Sequence, residues 1–546
     1  MPRNDPGADY NAAFAHAARA MMLDELRHSP IEATWAGLHD YDSEMPDLSA
    51  DGFADDEQRA RANIHALSAW DTDKLSPEAR IDHRLLVARF ETKAREIETL
   101  ALHRHDPSLY VNAAVYGVYC LLAKDFAPLA ERLPAVQSRL EKIPAVFEAG
   151  LANLVRSPAI WTEIALEEAT GAADFLRHTV GPLAAGLPQM RSALERALDA
   201  CAGFENFLKG THAKRDGMPF AIGSELFDFK LRCEHLLPYD CDSLLASGEH
   251  ALRSTLAALE SCARSIDPAA TWVSLVESLR VDHPPADRLL AEYRNGVADA
   301  RAFVAAKDLA TIPAGEELSV VDTPAFLCPT VPYAAYMAPG AFELRQQGLY
   351  YVTPVSKQLS AADRAEALLG HNRYAMLLTN VHEAYPGHHL QLVCANRVPS
   401  EIRRLFHSTV FCEGWALYCE QLTLDEGITD DPRVRLFQLK DQLWRACRVV
   451  IDVKLHTGAM TFDQAVDLLV DVAHLEHPNA IGEVRRYTQS PTQPMSYLTG
   501  KHQIMELRNR EETRLGDAFN LRAFHDRLLS FGSIPVALIE SAFVDA

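Results

Sequence analysis

Hydrophobic and polar positions along this chain alternate mostly with the period of a helix. From about residue 8 to about 305, apolar residues recur at three- and four-residue steps in "AAFAHAARAMMLDELRH", "RIDHRLLVARFETKAREIETLALH", "LAERLPAVQSRLEKIPAVFEAGLANLV" and "LLASGEHALRSTLAALESCARSI". That spacing lines apolar side chains along one stripe of a helix, and Pro or Gly punctuates the joins. No fixed-length repeat runs through these segments, so a solenoid is not expected. Between about 310 and 356 the texture shifts to Pro, aromatic and β-branched residues, and "ELSVVDT" and "GLYYVTP" predict two short strands joined by a long proline-bearing loop. Helix periodicity returns at Ser360, where Ser-Ala-Ala-Asp has the form of a capping box, and persists nearly to the C-terminus. The predicted fold class is mainly α, with a small β-hairpin or sheet near 317–355. An N-terminal helical region, 1–310, and a second region, 311–546, meet without a low-complexity linker and are expected to form one integrated unit.

The second region contains "HEAYPGHH" at 382 to 389. Zinc peptidases commonly carry H-E-x-x-H, two histidines one helical turn apart. Here Pro386 stands four places after His382, and the next histidines are His388 and His389. In an unbroken helix, with about 100° and about 1.5 Å per residue, His388 lies roughly 120° around from His382 and His389 about 10 Å along the axis. Neither pair can share an ion whose nitrogen ligands each sit about 2 Å away. Pro386, however, cannot donate to the carbonyl of His382 and its ring clashes there, while Gly387 accepts dihedrals that other residues resist. The predicted result is a kink or bulge that returns a late histidine to the side of His382. Glu383 then faces the open position of the ion and can deprotonate its water. A plain turn with two solvated histidines would produce the same letters, so a third ligand is needed to decide.

That ligand is sought on the next predicted helix, "EIRRLFHSTVFCEGWALYCEQLTLDEG", with Ser400 as N-cap and Glu401 in the first turn. Val410, Phe411, Trp415 and Leu417 surround Glu413, which therefore points into the protein, where a carboxylate is costly unless paired or ligating. Glu420 shares its face seven positions on, either as the ligand instead or as a group that holds a histidine. Neutralisation of Glu413 by a core arginine is the purely structural alternative.

Composition narrows the partners. The 546 residues are 48% hydrophobic and 23% charged, an ordinary globular balance, and a net charge of -22 argues against nucleic acid or an anionic membrane surface as partner. The N-terminus lacks the pattern of a signal peptide and no stretch is long and apolar enough to span a bilayer, which predicts a soluble, cytoplasmic protein. The ten cysteines include no C-x-x-C pair and are expected to be reduced and mostly buried. "HLEHP" at 474 to 478 is one residue short of H-x-x-E-H and is read as a helix end.

"HEAYPGHHLQ", "FCEGWALYCEQL" and "GEVRRYTQSPTQPMSYLTGK" together resemble the signature blocks of a large bacterial family of unsettled function that is grouped with the gluzincins, the HE-plus-glutamate zinc metallopeptidases. The resemblance extends to "AIGSELFDF" in the helical half. It implies a mostly helical, two-lobed fold with a deep cleft, similar to angiotensin-converting enzyme and related bacterial carboxypeptidases. It further implies one zinc ion, Zn2+, held by His382, His388 and Glu413, with Glu383 as general base. Relatives fix the first histidine of the HH pair, which favours His388 over His389. Tyr487 and Tyr497 match the third block, and the resemblance makes them donors for a tetrahedral oxyanion, although composition alone reads them as packing tyrosines. Arg485, Arg486, Lys501 and His502 are candidates to receive a substrate carboxylate, with plain surface charges as the equal alternative. An edge strand before the metal helix could pair with an extended peptide.

The expected function is thus a zinc-dependent hydrolase of peptide or amide bonds acting on short peptides or chain termini. Its rivals are a non-peptide amide hydrolase, an iron enzyme built on two histidines and one carboxylate, and a helical binding protein with a vestigial metal site.

Overall fold

Helix periodicity is realised along nearly the whole chain, and the described residues hold a single three-stranded sheet. The structure, a computed structural model, describes residues 6–215, 217–324, 327, 328, 331, 333–356 and 359–544. The chain divides into two compact units, one of Met1–Phe220 with Gly340–Leu344 and one of Ala221–Pro339 with Arg345–Ala546. The division falls near residue 220, so helices that the sequence assigns to an N-terminal region of 1–310 belong with "HEAYPGHH".

The first unit is helical. Its fully buried Arg139 ties three helices, Pro30–Ala36, Ser108–Ala123 and Leu129–Asn153. One Nη donates to Gly117 O at 2.6 Å and the other to Thr34 Oγ1 at 2.8 Å and Pro30 O at 3.2 Å. The segment Gly340–Leu344 joins this unit through Phe342 N–H, which donates to Ala36 O at 2.8 Å.

In the second unit the elements that matter here are α1 (Cys241–Ile266), α2 (Leu289–Ala306), β1 (Glu317–Asp322), β2 (Ala334–Met337), β3 (Gln347–Val352), α3 (Arg373–Glu383), α4 (His388–Ala395), α5 (Thr409–Asp425), α6 (Pro432–His456), α7 (His477–Gln489) and α8 (Ser496–Leu515). A reciprocal capping box between Asp240 and Ser243 starts α1. Its apolar face, including Leu244 and Ala251, packs with Ala446, Val449 and Val453 of α6. A Cβ on Gly248 would lie 2.7 Å from Val449 Cγ1, so the missing side chain lets the two helices close up. This apolar contact is why 241–306 joins the second unit.

The two predicted strands exist, but not as a hairpin. β1 pairs with β3 in parallel, and the connection between them supplies a third strand, β2, antiparallel to β3, in the order β1-β3-β2. Parallel pairing demands a long crossover, and this one is long enough to lay down a strand of its own. The central strand buries Tyr350 and Val352 against Tyr293 of α2, Met376 of α3 and Leu390 of α4.

Two other expectations change. The helix expected from Ser400 onward is two, Glu401–Arg404 and α5, because Ser400 caps the first through Arg403 N–H and Ser408 caps a second start through Phe411 N–H. "HLEHP" is a junction: one helix ends at Asp471, and His477 and Pro478 open α7 with proline in the first turn, where its missing N–H costs nothing. The cysteines are free thiols. Among the described residues no helix is long and apolar enough to cross a membrane.

Candidate metal centre

Asn372 caps α3 by accepting from Ala375 N–H, and the helix runs to Glu383. It then stops, and α4 begins at His388, so the interruption is a full break rather than a kink. Across the break Ala384 N–H donates to Asn380 O at 3.0 Å and Gly387 N–H to Val381 O at 3.0 Å. The indole of Trp415 donates to Pro386 O at 2.8 Å, fixing the turn against α5. The Tyr385–Pro386 peptide is cis. Gly387 has φ -68°, so it is not needed for left-handed backbone. It is needed for space, since a Cβ there would stand 1.9 Å from His382 O.

The break places His388 beside His382. Their rings lie 4.8 Å apart at 87°, and Nε2 of each faces Glu413 Oε2, at 3.8 Å from His382 and 3.3 Å from His388. One donor atom from each of the three residues lies within 4.8 Å of the others. Tetrahedral zinc with ligands at about 2.0–2.2 Å needs donor atoms roughly 3.3–3.6 Å apart, so the set fits such an ion with small adjustments. The donor chemistry fits as well. Two imidazole nitrogens and one carboxylate oxygen are a donor set that zinc accepts, and Glu413 Oε2 is buried with the two imidazoles facing it.

Glu420 stands behind His382 rather than in the cluster of three. It is buried, and its Oε1 accepts from His382 Nδ1–H at 2.7 Å, which turns Nε2 toward Glu413. Burial opposes charge on His382, yet Glu413 and Glu420 outweigh it and raise the imidazole to about 10. Burial likewise opposes ionisation of Glu413, but the two imidazoles outweigh it and hold the carboxyl well below the usual range. A divalent cation would compete with protons for the same lone pairs. Burial pushes the Glu383 carboxyl up, the imidazoles of His382 and His388 pull it down, and the backbone N–H of Tyr336 on edge strand β2 donates to it.

His389 faces elsewhere. Fully buried, its Nε2–H donates to Glu316 Oε2 at 2.7 Å and its Nδ1 accepts from Tyr336 OH at 3.0 Å. Glu316 also accepts from Tyr385 OH at 2.6 Å and from Arg301 Nε at 3.0 Å. Burial opposes its ionisation, but these donors hold its carboxyl at about 2. Sequence reasoning missed Glu316 and Arg301, which lie far upstream and carry no local signal.

Of the two tyrosines, the structure brings Tyr497 to the cluster. Helices α5 and α8 cross at Gly414 and Gly500, where a Cβ on Gly500 would lie 1.8 Å from Val410 O and one on Gly414 2.5 Å from Gly500 Cα. This backbone contact sets the Tyr497 ring 6.3 Å from the His382 ring at 21°. Tyr487 is fully buried among other partners: its OH accepts from Trp444 Nε1 at 3.3 Å and its ring faces Arg448 at 5.2 Å. Lys501 is buried and donates to Gln442 Oε1, and burial lowers it to about 8. His502 is half-buried, and burial lowers it to about 4. Arg486 is exposed and pairs with Glu483 at 2.7 Å.

Also missed was one face of α6. Asp441, Trp444, Arg445 and Arg448 share it at three- and four-residue steps, and the Arg445 and Arg448 guanidiniums lie 5.7 and 4.0 Å from the Tyr497 ring. Their helical spacing was the available signal.

No curated protein matches the chain. Two solved structures match over almost their whole length. One, from Shewanella oneidensis, described as "a putative lipoprotein of unknown function", is 27% identical with a TM-score of 0.82 and is covered to 99% by 97% of this chain. The other, described as "the putative lipoprotein from Colwellia psychrerythraea", is 17% identical with a TM-score of 0.81, covered to 99% by 98% of this chain, and shows the fold alone. The model of a family described as "Bacterial protein of unknown function (DUF885)" matches residues 30–543, and the chain belongs to that family.

Proposed function

We propose that the protein is a zinc-dependent hydrolase of peptide or amide bonds. The observation that carries this reading is the convergence of His382, His388 and Glu413 on one point, with a buried carboxyl, Glu383, on the residue next to the first ligand. Zinc in such a donor set supplies Lewis acidity that acidifies water and polarises a carbonyl. The protein's own groups divide the remaining work. Glu383, with its carboxyl pushed up by burial and fixed by the Tyr336 amide, takes a proton from water and returns it to the leaving amine. Glu420 keeps His382 in the tautomer that presents Nε2. Tyr497 offers its phenol to the developing oxyanion. An oxygenase built on the same triad has no use for the Glu383 base, which favours hydrolysis over the iron reading.

The ligand side chains are only 9 to 19% exposed, which suits short peptides or chain termini better than folded proteins. The solved relatives are described as lipoproteins, so the cytoplasmic location expected from the sequence draws no support from them.

Elemental analysis of the wild type and Glu383→Gln, with mass spectrometry of a pool of short peptides, tests the proposal. We expect about one zinc per chain in both proteins, and turnover at least about 10³-fold lower in the variant, about 4 kcal/mol of barrier. Absence of metal, or full turnover by Glu383→Gln, would overturn it.

A further inference from the structure

Arg448 is 2% exposed, yet among the described residues it has no ion pair. Its Nε donates to Pro494 O at 3.2 Å and one Nη to Gln493 Oε1 at 3.2 Å, both neutral acceptors. The nearby carboxylates are committed elsewhere. Glu413 faces the two histidines, and Glu483 pairs with Arg486 at 2.7 Å. Asp452 accepts from Thr492 N–H at 3.1 Å and Met495 N–H at 3.0 Å, and burial pushes its carboxyl up to about 7. A buried guanidinium without a counter-charge is costly and calls for an explanation.

Arg139, equally buried and also without an ion pair among the described residues, is met instead by several neutral acceptors. Both of its Nη groups are enclosed by acceptors: Gly117 O, Pro30 O, Tyr41 O, Thr34 Oγ1 and Cys120 Sγ. Arg448 has two acceptors, and one of them is shared. Arg486 Nη1 donates to the same Gln493 Oε1, also at 3.2 Å, so two guanidiniums converge on a single neutral oxygen. The pair carries two positive charges against the one carboxylate of Glu483. Tyr497 links this place to the metal centre, because its ring lies 4.0 Å from the Arg448 guanidinium and 6.3 Å from the His382 ring. Arg486 leaves the pair open to solvent.

We infer that Arg448 and Arg486 form a carboxylate-binding subsite beside the metal centre, with Gln493 Oε1 standing where a ligand oxygen is received. Guanidinium forks match the two oxygens of a carboxylate in geometry and charge. As a statement about substrate, this rests on the hydrolase reading, and it makes the substrate a peptide or amide bearing a free carboxylate. That group is supplied either by the C-terminus of the peptide or by an acidic side chain.

The test uses full-length, zinc-loaded Glu383→Gln protein and native mass spectrometry with three tripeptide pools. These are free acids, C-terminal amides, and amides ending in glutamate. The subsite predicts at least tenfold stronger retention of free acids than of plain amides. Retention regained by the glutamate amides assigns the side-chain carboxylate as the source; otherwise the C-terminus is the source. Arg448→Gln should abolish the preference, and Arg486→Gln, at the solvent-exposed end, should weaken it several-fold. Arg448→Lys keeps the charge without the fork and should recover only part of it, with thermal unfolding confirming that each variant is folded. Equal retention of acids and amides, no retention of any pool, or a preference unchanged in both arginine variants would overturn the inference. Wild-type cleavage of acids and amides at equal rates would also overturn it while leaving the hydrolase reading intact. A zinc-free, inactive protein that still prefers acids would do the reverse.

Discussion

His388 and His389 are neighbours in the first turn of one helix, and the chain uses them in opposite ways. About 100° of helical rotation points one toward α5 and the other toward the sheet. Around His389 each polar atom has a partner: Glu316 accepts from His389, Tyr385 and Arg301, and Tyr336 satisfies the second ring nitrogen. Around His388, Nδ1 is buried without a hydrogen-bond partner, and Nε2 lies 3.3 Å from Glu413 Oε2. Burial does not distinguish them in the expected direction, since the side chain of His389 is 0% exposed and that of His388 is 13%. Satisfaction distinguishes them. A histidine that closes a hydrogen-bond circuit holds a fold together, whereas one whose Nε2 lies 3.3 Å from a buried carboxylate oxygen could share a cation with it.

The largest effect that would sharpen this contrast is expected from His388→Ala. It should lower zinc affinity at least about 10³-fold, about 4 kcal/mol, while shifting ion-free stability by less than about 1 kcal/mol. Retention of stoichiometric zinc on dialysis would erase the distinction. The closed circuit should answer to acid instead. Glu316 is held at about 2 in the folded protein against an ordinary 4.5. Its stabilisation, about 3 kcal/mol, is therefore present above pH 4.5 and lost as pH falls toward 2. Glu316→Gln should flatten that acid limb in urea titrations and leave zinc binding alone; an unchanged limb would show that the circuit contributes nothing. Smallest is Glu420→Gln, which touches only the support of His382. A drop in zinc affinity of roughly 10- to 100-fold is expected, and isothermal titration showing no drop would remove Glu420 from the centre.

The helices were legible in the sequence because their apolar stripes recur over many residues, and the candidate ligands that the structure brings together were legible because "HEAYPGHH" and "FCEGWALYCEQL" are local. The preference for His388 came from resemblance; the structure supplies its geometry. Gly387 was read for dihedral freedom, but its role is close approach to His382 O, a tertiary fact that no local pattern encodes. Strand β2 is four residues long, too short for alternation to show. The boundary near 220 depends on which helices pack together, as α1 does with α6, rather than on any linker. Glu316 joins His389 across 73 positions, beyond the reach of motif reasoning. Arg448 shares a periodic face with Asp441, Trp444 and Arg445 but lies outside the family blocks.

The crossing of α5 and α8 has a mechanical consequence. Contact between Gly414 and Gly500 is a point of backbone against backbone, and so acts as a fulcrum. Glu413 sits one residue from it and Tyr497 three, lever arms of about 1.5 and about 4.5 Å along their helices, whereas Leu515 ends α8 about 22 Å away. A 10° swing of α8 about that point would carry its far end about 4 Å but the Tyr497 backbone less than about 1 Å. Glu413 and Tyr497 are thereby mounted where such a swing moves them least, while Arg508 Nη1, donating to Tyr418 OH at 3.2 Å, pins α8 to α5 further along.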